Sequence, residues 1–368
     1  MEALILSCST GGGHNSAGYA IRDELESRGH SVKMFDPYQL IAGKRVDKRV
    51  GNAYVKLVRR SPFTFGCLYK LGEIYDKTSL KSPVYLANEL MEKPLQNYLQ
   101  KHHFDVIFMP HLFPGQMMTN LREKGIKIPK TIFIATDYTC IPFTEEIKAD
   151  YYIIPSEKLT SEFASKGIDE SKIRPLGIPV RKSFTELRDK EMKTSGKHYL
   201  LLSSGSIGLS KMFKATELLS SYIKGHKNCY LIVICGDNKK LYRGLVQKFG
   251  DNRQIKLVQK TDHMAEYIKG ADAFISKPGG LSSTESAVLG VPLIHILPIP
   301  GCESHNISFF SSLGMSIGIG DDIKKLPEAL EMLSDEEFRK RMIIAQGEEI
   351  NPFASKDICD LAEEIIKE

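Results

Sequence analysis

The stretch Met1-Glu2-Ala3-Leu4-Ile5-Leu6-Ser7-Cys8-Ser9-Thr10-Gly11-Gly12-Gly13-His14 decides the fold. Ala3 to Cys8 is a short, mostly apolar run, which reads as a strand, and the three glycines that end it make a tight turn. A helical pattern follows over Ser16 to Arg28, with Ala17, Ala20, Ile21 and Leu25 on one face, and a second strand runs from Ser31 to Phe35. Strand, turn, helix and strand in that order form an opening βαβ unit.

Working outward, apolar runs bounded by turn residues recur at Val106 to Met109, Thr131 to Thr136 and Tyr151 to Ile154. Helical patterns lie between them at Pro83 to Gln100, interrupted or kinked at Pro94, and at Pro114 to Lys124. After Gly177-Ile178-Pro179-Val180 the chain turns polar, then strands resume at Tyr199 to Ser203, Tyr230 to Cys235, Ile255 to Leu257, Ala273 to Ile275 and Pro292 to Ile296. This alternation predicts an α/β protein of two doubly wound parallel-sheet domains. The expected organisation is a first domain over 1–180, a linker over 181–198, a second domain over 199–350 and a final helix over 351–368 that could cross back onto the first domain. Sheets of this kind bind ligands beyond the carboxyl ends of their strands, so two of them facing each other would place a cleft there.

Length agrees, since 368 residues exceed what one ordinary core accommodates. With 42% hydrophobic and 26% charged residues the composition is that of a globular protein, and no run of about 18 apolar residues predicts a bilayer span. The first residues lack the basic, apolar and small-residue zones of a secretory signal. Seven scattered cysteines contain no Cys-x-x-Cys pair, so a reducing cytoplasm is expected and neither zinc nor any other metal site is. The net charge of +5 is concentrated: residues 44 to 70 hold eight basic residues against Asp47 alone, a local +7. The same segment carries Lys44, Arg45, Arg59 and Arg60 together with the aromatics Phe63, Phe65 and Tyr69. Cations mixed with aromatics suit an anionic membrane surface, the expectation preferred here over a solvated helix face or a nucleic-acid patch.

Gly11, Gly12 and Gly13 open the first helix, so its N–H groups and positive dipole end point at whatever binds there, an anion or a sugar hydroxyl. The dinucleotide fingerprint fails at Ser16, and the phosphate loop of nucleotide hydrolases fails at Tyr19-Ala20. The alternative is a turn that merely connects strand to helix. His14 is a candidate proton acceptor, because imidazole takes a proton near neutral pH. Asp137, at another strand end, could orient the acceptor, act as base instead, or simply cap a turn.

The strongest signal is Ser276-Lys277-Pro278-Gly279-Gly280-Leu281-Ser282-Ser283-Thr284-Glu285, again a strand end running through glycines into a helix, here expected to begin near Ser282. Backbone donors from Gly279 to Ser282 could hold a diphosphate, and Glu285, one turn in, could accept two ribose hydroxyls. Two further loops join it: Ser203 to Gly208, with Gly205 and Ser206, and Pro300 to Asn306, where Glu303 and Asn306 could grip sugar hydroxyls. Either loop alone reads as a plain connection. Their shared placement at the strand ends of one domain makes a donor site credible.

These residues resemble a family of lipid glycosyltransferases that includes monogalactosyldiacylglycerol synthase, processive diacylglycerol glucosyltransferase and, more distantly, MurG. The resemblance rests on Ser9 to Ala17, on Thr136-Asp137-Tyr138, on Gly177 to Val180, on Lys277 to Leu281 with Glu285, and on Pro298 to Gly301. It implies a GT-B fold and inverting transfer from a UDP-sugar, a co-substrate rather than a cofactor, without a metal. It further implies that His14 activates the acceptor, that Glu285 binds the ribose, and that the loops at 204–208 and 278–282 form the diphosphate and uracil pocket. Cys302 stands where relatives carry glutamine.

The expected reaction is transfer of a hexose from UDP-glucose or UDP-galactose to diacylglycerol or a related membrane lipid, by a protein peripheral on the inner face of the cell membrane. The alternatives are a MurG-like transfer of N-acetylglucosamine to a prenyl-linked acceptor, a UDP-sugar epimerase, and a sensor that binds a sugar nucleotide without turnover. An epimerase would not need the basic aromatic segment, and a sensor would not need His14.

Overall fold

Strand β1 (Glu2–Leu6) is buried from Ala3 onward, and it pairs in parallel with β2 (Ser31–Phe35) on one side and β3 (Val106–Met109) on the other. The computed structural model describes residues 1–8, 12–40, 83–191, 196–203, 205 and 208–367. Gly11, Ser206 and the membrane candidates Lys44, Arg45, Arg59, Arg60, Phe63, Phe65 and Tyr69 lie outside the described residues.

The backbone separates into two compact units, one of Met1–Lys182 with Asn351–Glu368, the other of Ser183–Ile350. In the first, β4 (Lys130–Ile134), β5 (Tyr151–Ile153) and β6 (Ile173–Arg174) complete a six-stranded sheet of order β2-β1-β3-β4-β5-β6. The pairings found in it are parallel. Helices α1 (Gly12–Ser27), α2 (Pro83–Lys101), α3 (Leu112–Glu123) and α4 (Thr160–Ser165) connect the strands. Chain order leaves β1 toward β2 and returns to β3 on the other side, so the topological switch point falls between the carboxyl ends of β1 and β3.

Helix α1 begins at Gly12 and not at Ser16, which places Gly12, Gly13 and His14 in its first turn. Nor does Pro94 interrupt α2, which runs unbroken from Pro83 to Lys101. Its fully buried neighbour Leu95 and packing of α2 on α3 offset the lost backbone hydrogen bond.

After the second unit the chain returns to the first as α13 (Ala354–Ile365), whose Ile358, Cys359, Ala362 and Ile365 join Ile21 and Leu25 of α1 in the core. Burial of the two isoleucines alone contributes roughly 3–6 kcal/mol. Arg28 at the end of α1 reaches Asp360 at 2.6 Å and Glu363 at 3.3 Å, and His30 reaches Glu363 at 2.8 Å. Gly177 (φ +98°) explains the glycine at the end of the first domain, since a Cβ there would meet those of Ala354 and Asn351 at 3.2 and 3.3 Å. Asn351 also donates to the Leu176 carbonyl at 2.8 Å.

The second unit holds β7 (His198–Ser203), β8 (Cys229–Ile234), β9 (Ile255–Val258), β10 (Ala273–Ser276), β11 (Leu293–Ile296) and β12 (Ile317–Gly320), in the order β12-β11-β10-β7-β8-β9. Its helices are α5 (Lys182–Arg188, which starts at the unit boundary), α6 (Leu209–Lys224), α7 (Lys239–Phe249), α8 (Met264–Lys269), α9 (Gly280–Val288), α10 (Cys302–Ser312), α11 (Leu326–Met332) and α12 (Glu336–Glu349). Leu200, Leu202, Leu231, Val233 and Ile275 meet Met212, Leu219, Leu241 and Leu330 in its core. The switch point here lies between β7 and β10. Two doubly wound parallel sheets are therefore the architecture that the alternating pattern predicts, each with one short edge strand, β6 or β12, that the pattern does not show.

Candidate active site

In the first unit the ends of three adjacent strands converge on His14. Its Nδ1 lies 2.9 Å from the carbonyl of Pro110, just after β3, and 2.9 Å from the hydroxyl of Thr136, after β4. A carbonyl can only accept, so Nδ1 carries the hydrogen and the lone pair sits on Nε2. The imidazole is thus oriented as a base. Asn15, the next residue, accepts from the Ser7 hydroxyl at 2.7 Å, which ties the start of α1 back to the end of β1.

His111 was not picked out by sequence and stands against His14, ring centroids 4.5 Å apart and nearly perpendicular. It caps α3 by accepting from the Phe113 N–H at 3.1 Å. Complete burial, and the neighbouring His14 whenever that ring is charged, push its pKa well below the ordinary histidine value, so this ring stays neutral. A histidine outside any glycine turn, acting as a helix cap, carries no sequence signal that separates it from a core residue.

Asp137 lines the same small recess as His14, His111, Thr136, Phe133 and Ile141. The loop after it is anchored by Glu162 of α4, which accepts from the Thr139 hydroxyl at 2.6 Å and the Cys140 N–H at 2.8 Å. Phe143 in that loop has φ +70°, a conformation a bulky residue adopts only where its surroundings impose it.

In the second unit the loops at the β7/β10 switch point meet. Gly205 (φ +46°) packs so closely on Lys277 that a Cβ would lie 3.0 Å from its Cε. Gly279 is the N-cap of α9, which begins at Gly280, two residues before Ser282. The N–H groups of Gly280, Leu281 and Ser282 therefore belong to the first turn, where a helix offers no acceptor of its own. With Pro278 they form the approach to the helix's positive end, a place suited to a diphosphate. Glu285 follows one turn later and is buried.

Glu303, expected to grip a sugar, is 4% exposed, and one of its oxygens is paired with the Lys277 ammonium while the other accepts from the Ile299 N–H at 2.8 Å. A sugar hydroxyl would share that carboxylate with protein donors. Asn306 is fully buried and donates to the Pro278 carbonyl at 2.9 Å. Both residues thus also shape the loops at 277–279 and 297–301, where Leu297 (φ +52°) and Gly301 (φ +112°) make the sharp turn into α10.

The match to known proteins spans both units. The monogalactosyldiacylglycerol synthase family profile covers residues 14–180, and that of the glycosyltransferase family 28 C-terminal domain covers 200–359. A processive diacylglycerol beta-glucosyltransferase of Staphylococcus epidermidis is 31% identical over 277 residues, 72% of this chain and 68% of the relative. The protein of that name from Bacillus pumilus is 28% identical over 351 residues, 91% of this chain and 88% of the relative. Among solved structures, MurG of Acinetobacter baumannii shares the fold with a TM-score of 0.63 at 14% identity, over 99% of each chain. The architecture is that of a GT-B glycosyltransferase, and the chain belongs to the family of monogalactosyldiacylglycerol synthases and processive diacylglycerol glucosyltransferases, within glycosyltransferase family 28.

Proposed function

We propose that this enzyme transfers a hexose, glucose before galactose, from its UDP ester to the free hydroxyl of diacylglycerol, inverting the anomeric centre. The single observation that carries the chemistry is the setting of His14, whose Nδ1 lies 2.9 Å from both the Pro110 carbonyl and the Thr136 hydroxyl, an arrangement that assigns the hydrogen to Nδ1 and the role of proton acceptor to Nε2. The acceptor oxygen attacks the anomeric carbon as its proton passes to Nε2, and the bond from that carbon to the diphosphate breaks, releasing UDP. One displacement inverts the centre. The charge that develops on the leaving diphosphate would be met by the first-turn N–H groups of α9 and by Lys277, whose ammonium is also paired with Glu303. Binding of UDP-sugar as a co-substrate rests on the same groups.

The names of the sequence relatives support glucose and diacylglycerol. Among the described residues no helix is long and apolar enough to cross a membrane. Access to a lipid acceptor is proposed to come from the basic and aromatic segment at 44–70, bound peripherally to an anionic surface on the cytoplasmic side.

The test supplies the purified enzyme with diacylglycerol in anionic vesicles and, in parallel, with UDP-glucose, UDP-galactose or UDP-N-acetylglucosamine. UDP and glycolipid should appear one for one, with a β linkage in the product from an α-linked donor. Transfer only to a prenyl phosphate acceptor would move the assignment to a MurG-like reaction, and sugar interconversion without lipid product would make the protein an epimerase.

A further inference from the structure

Beneath the proposed diphosphate site lies a buried polar chain of Ser283, His295 and Ser316. His295, in the middle of β11, is fully buried, its ring edge-on to Phe310 with centroids 5.4 Å apart. Its Nε2 lies 2.8 Å from the Ser283 hydroxyl on α9, and its Nδ1 lies 3.0 Å from the Ser316 hydroxyl ahead of β12. Ser283 in turn donates to the Gly279 carbonyl at 2.9 Å.

The chain has one consistent direction. A serine hydroxyl has a single hydrogen, and Ser283 commits it to the Gly279 carbonyl one helical turn back. Its oxygen must then accept from His295 Nε2–H. The ring, kept neutral because burial pushes its pKa down to about 3, has its other nitrogen left to accept the Ser316 O–H. The Gly279 carbonyl also takes the Ser283 N–H at 3.0 Å and the Ser282 hydroxyl at 3.1 Å. Three donors on this one oxygen fix the plane of the peptide whose N–H belongs to Gly280, the first residue of α9.

We infer that His295 is a positioning residue for the donor site: through Ser283 it sets the first turn of α9 and aims the N–H groups of Gly280, Leu281 and Ser282 at the diphosphate. This rests on the donor-site reading above. A histidine that only filled the core would change stability when replaced and leave UDP affinity alone. A positioning histidine changes affinity for UDP and the KM for the UDP-sugar more than kcat for bound substrate.

Calorimetric titration of UDP into the full-length protein, with KM and kcat measured in parallel, separates the two. Ser283→Ala and His295→Leu are each expected to weaken UDP binding about tenfold, the effect of one well-made hydrogen bond. His295→Gln, which keeps one donor and one acceptor, should recover much of that loss. The double variant should bind no more weakly than His295→Leu alone, because both act through one contact. Ser283→Ala removes little volume, so it remains informative if His295→Leu fails to fold. UDP affinity within twofold of wild type in Ser283→Ala, whatever happens to the melting temperature, would overturn the inference. A wild-type protein that does not bind UDP would sink the donor-site reading, and this inference with it.

Discussion

Acidification should destabilise the second unit through His295 before most carboxylates begin to titrate. Burial brings the folded value of this imidazole from the usual 6.5 down to about 3, so between those limits the unfolded chain binds the proton and the folded one does not. Stability from this group is complete above about 6.5 and declines as the pH falls toward 3. At pH 5, one and a half units below the unfolded value, the loss is about 2 kcal/mol. For a unit of this size that corresponds to about 4–8 °C in melting temperature. Thermal unfolding of wild type and His295→Gln at pH 7 and pH 5 isolates the effect, since every other titrating group is common to both. The wild type should lose about 2 kcal/mol more than the variant on acidification. Equal losses would show that the folded ring accepts a proton at pH 5, and the direction assigned to the buried hydrogen-bond chain would fail. His111 acts with the same sign in the first unit, because its pKa too is pushed well below the ordinary value.

Three further outcomes follow from the geometry. Gly205→Ala places a Cβ 3.0 Å from Lys277 Cε at a positive φ, so it should raise the KM for the UDP-sugar several-fold while thermal stability changes little beyond the roughly 1–2 kcal/mol of backbone strain. Arg28→Ala removes the contacts to Glu24, Asp360 and Glu363 that clamp α13, and should destabilise the first unit by about 1–3 kcal/mol, seen as faster proteolytic trimming of the carboxyl terminus. Thr136→Val keeps the shape but deletes one of the two oxygens on His14 Nδ1, so kcat should fall about tenfold with UDP affinity unchanged.

The fold was legible because buried parallel strands read as continuous apolar runs, and Ala3–Leu6, Val106–Met109 and Leu231–Ile234 do. Strands β6 and β12 carry no such run: one is two residues long and the other alternates isoleucine with glycine, at sheet edges where little burial demands a pattern. The start of α1 at Gly12 is not visible in the sequence because glycine opposes helix in local propensity, whereas the tie from Asn15 back to Ser7 anchors that first turn. At the site, the glycine turns and His14 announce themselves by spacing. The partners that give them chemistry do not: Pro110 and Thr136 lie 96 and 122 residues from His14, and Ser283 and Ser316 lie 12 and 21 from His295. Such pairings are set by strand order and are invisible to any local window. The same holds for Glu303, whose engagement by Lys277 depends on β10 and β11 being neighbours.

The most direct test of the central claim is the rate of β-glucosyl transfer from UDP-glucose to diacylglycerol in anionic vesicles, measured for wild type and His14→Ala, with UDP affinity measured on the same samples. Loss of the base should cut kcat by about 10²–10⁴-fold and leave UDP affinity within about twofold. A His14→Ala enzyme that still forms glycolipid at near wild-type rate would contradict the account, because the proton would then have to leave by another group.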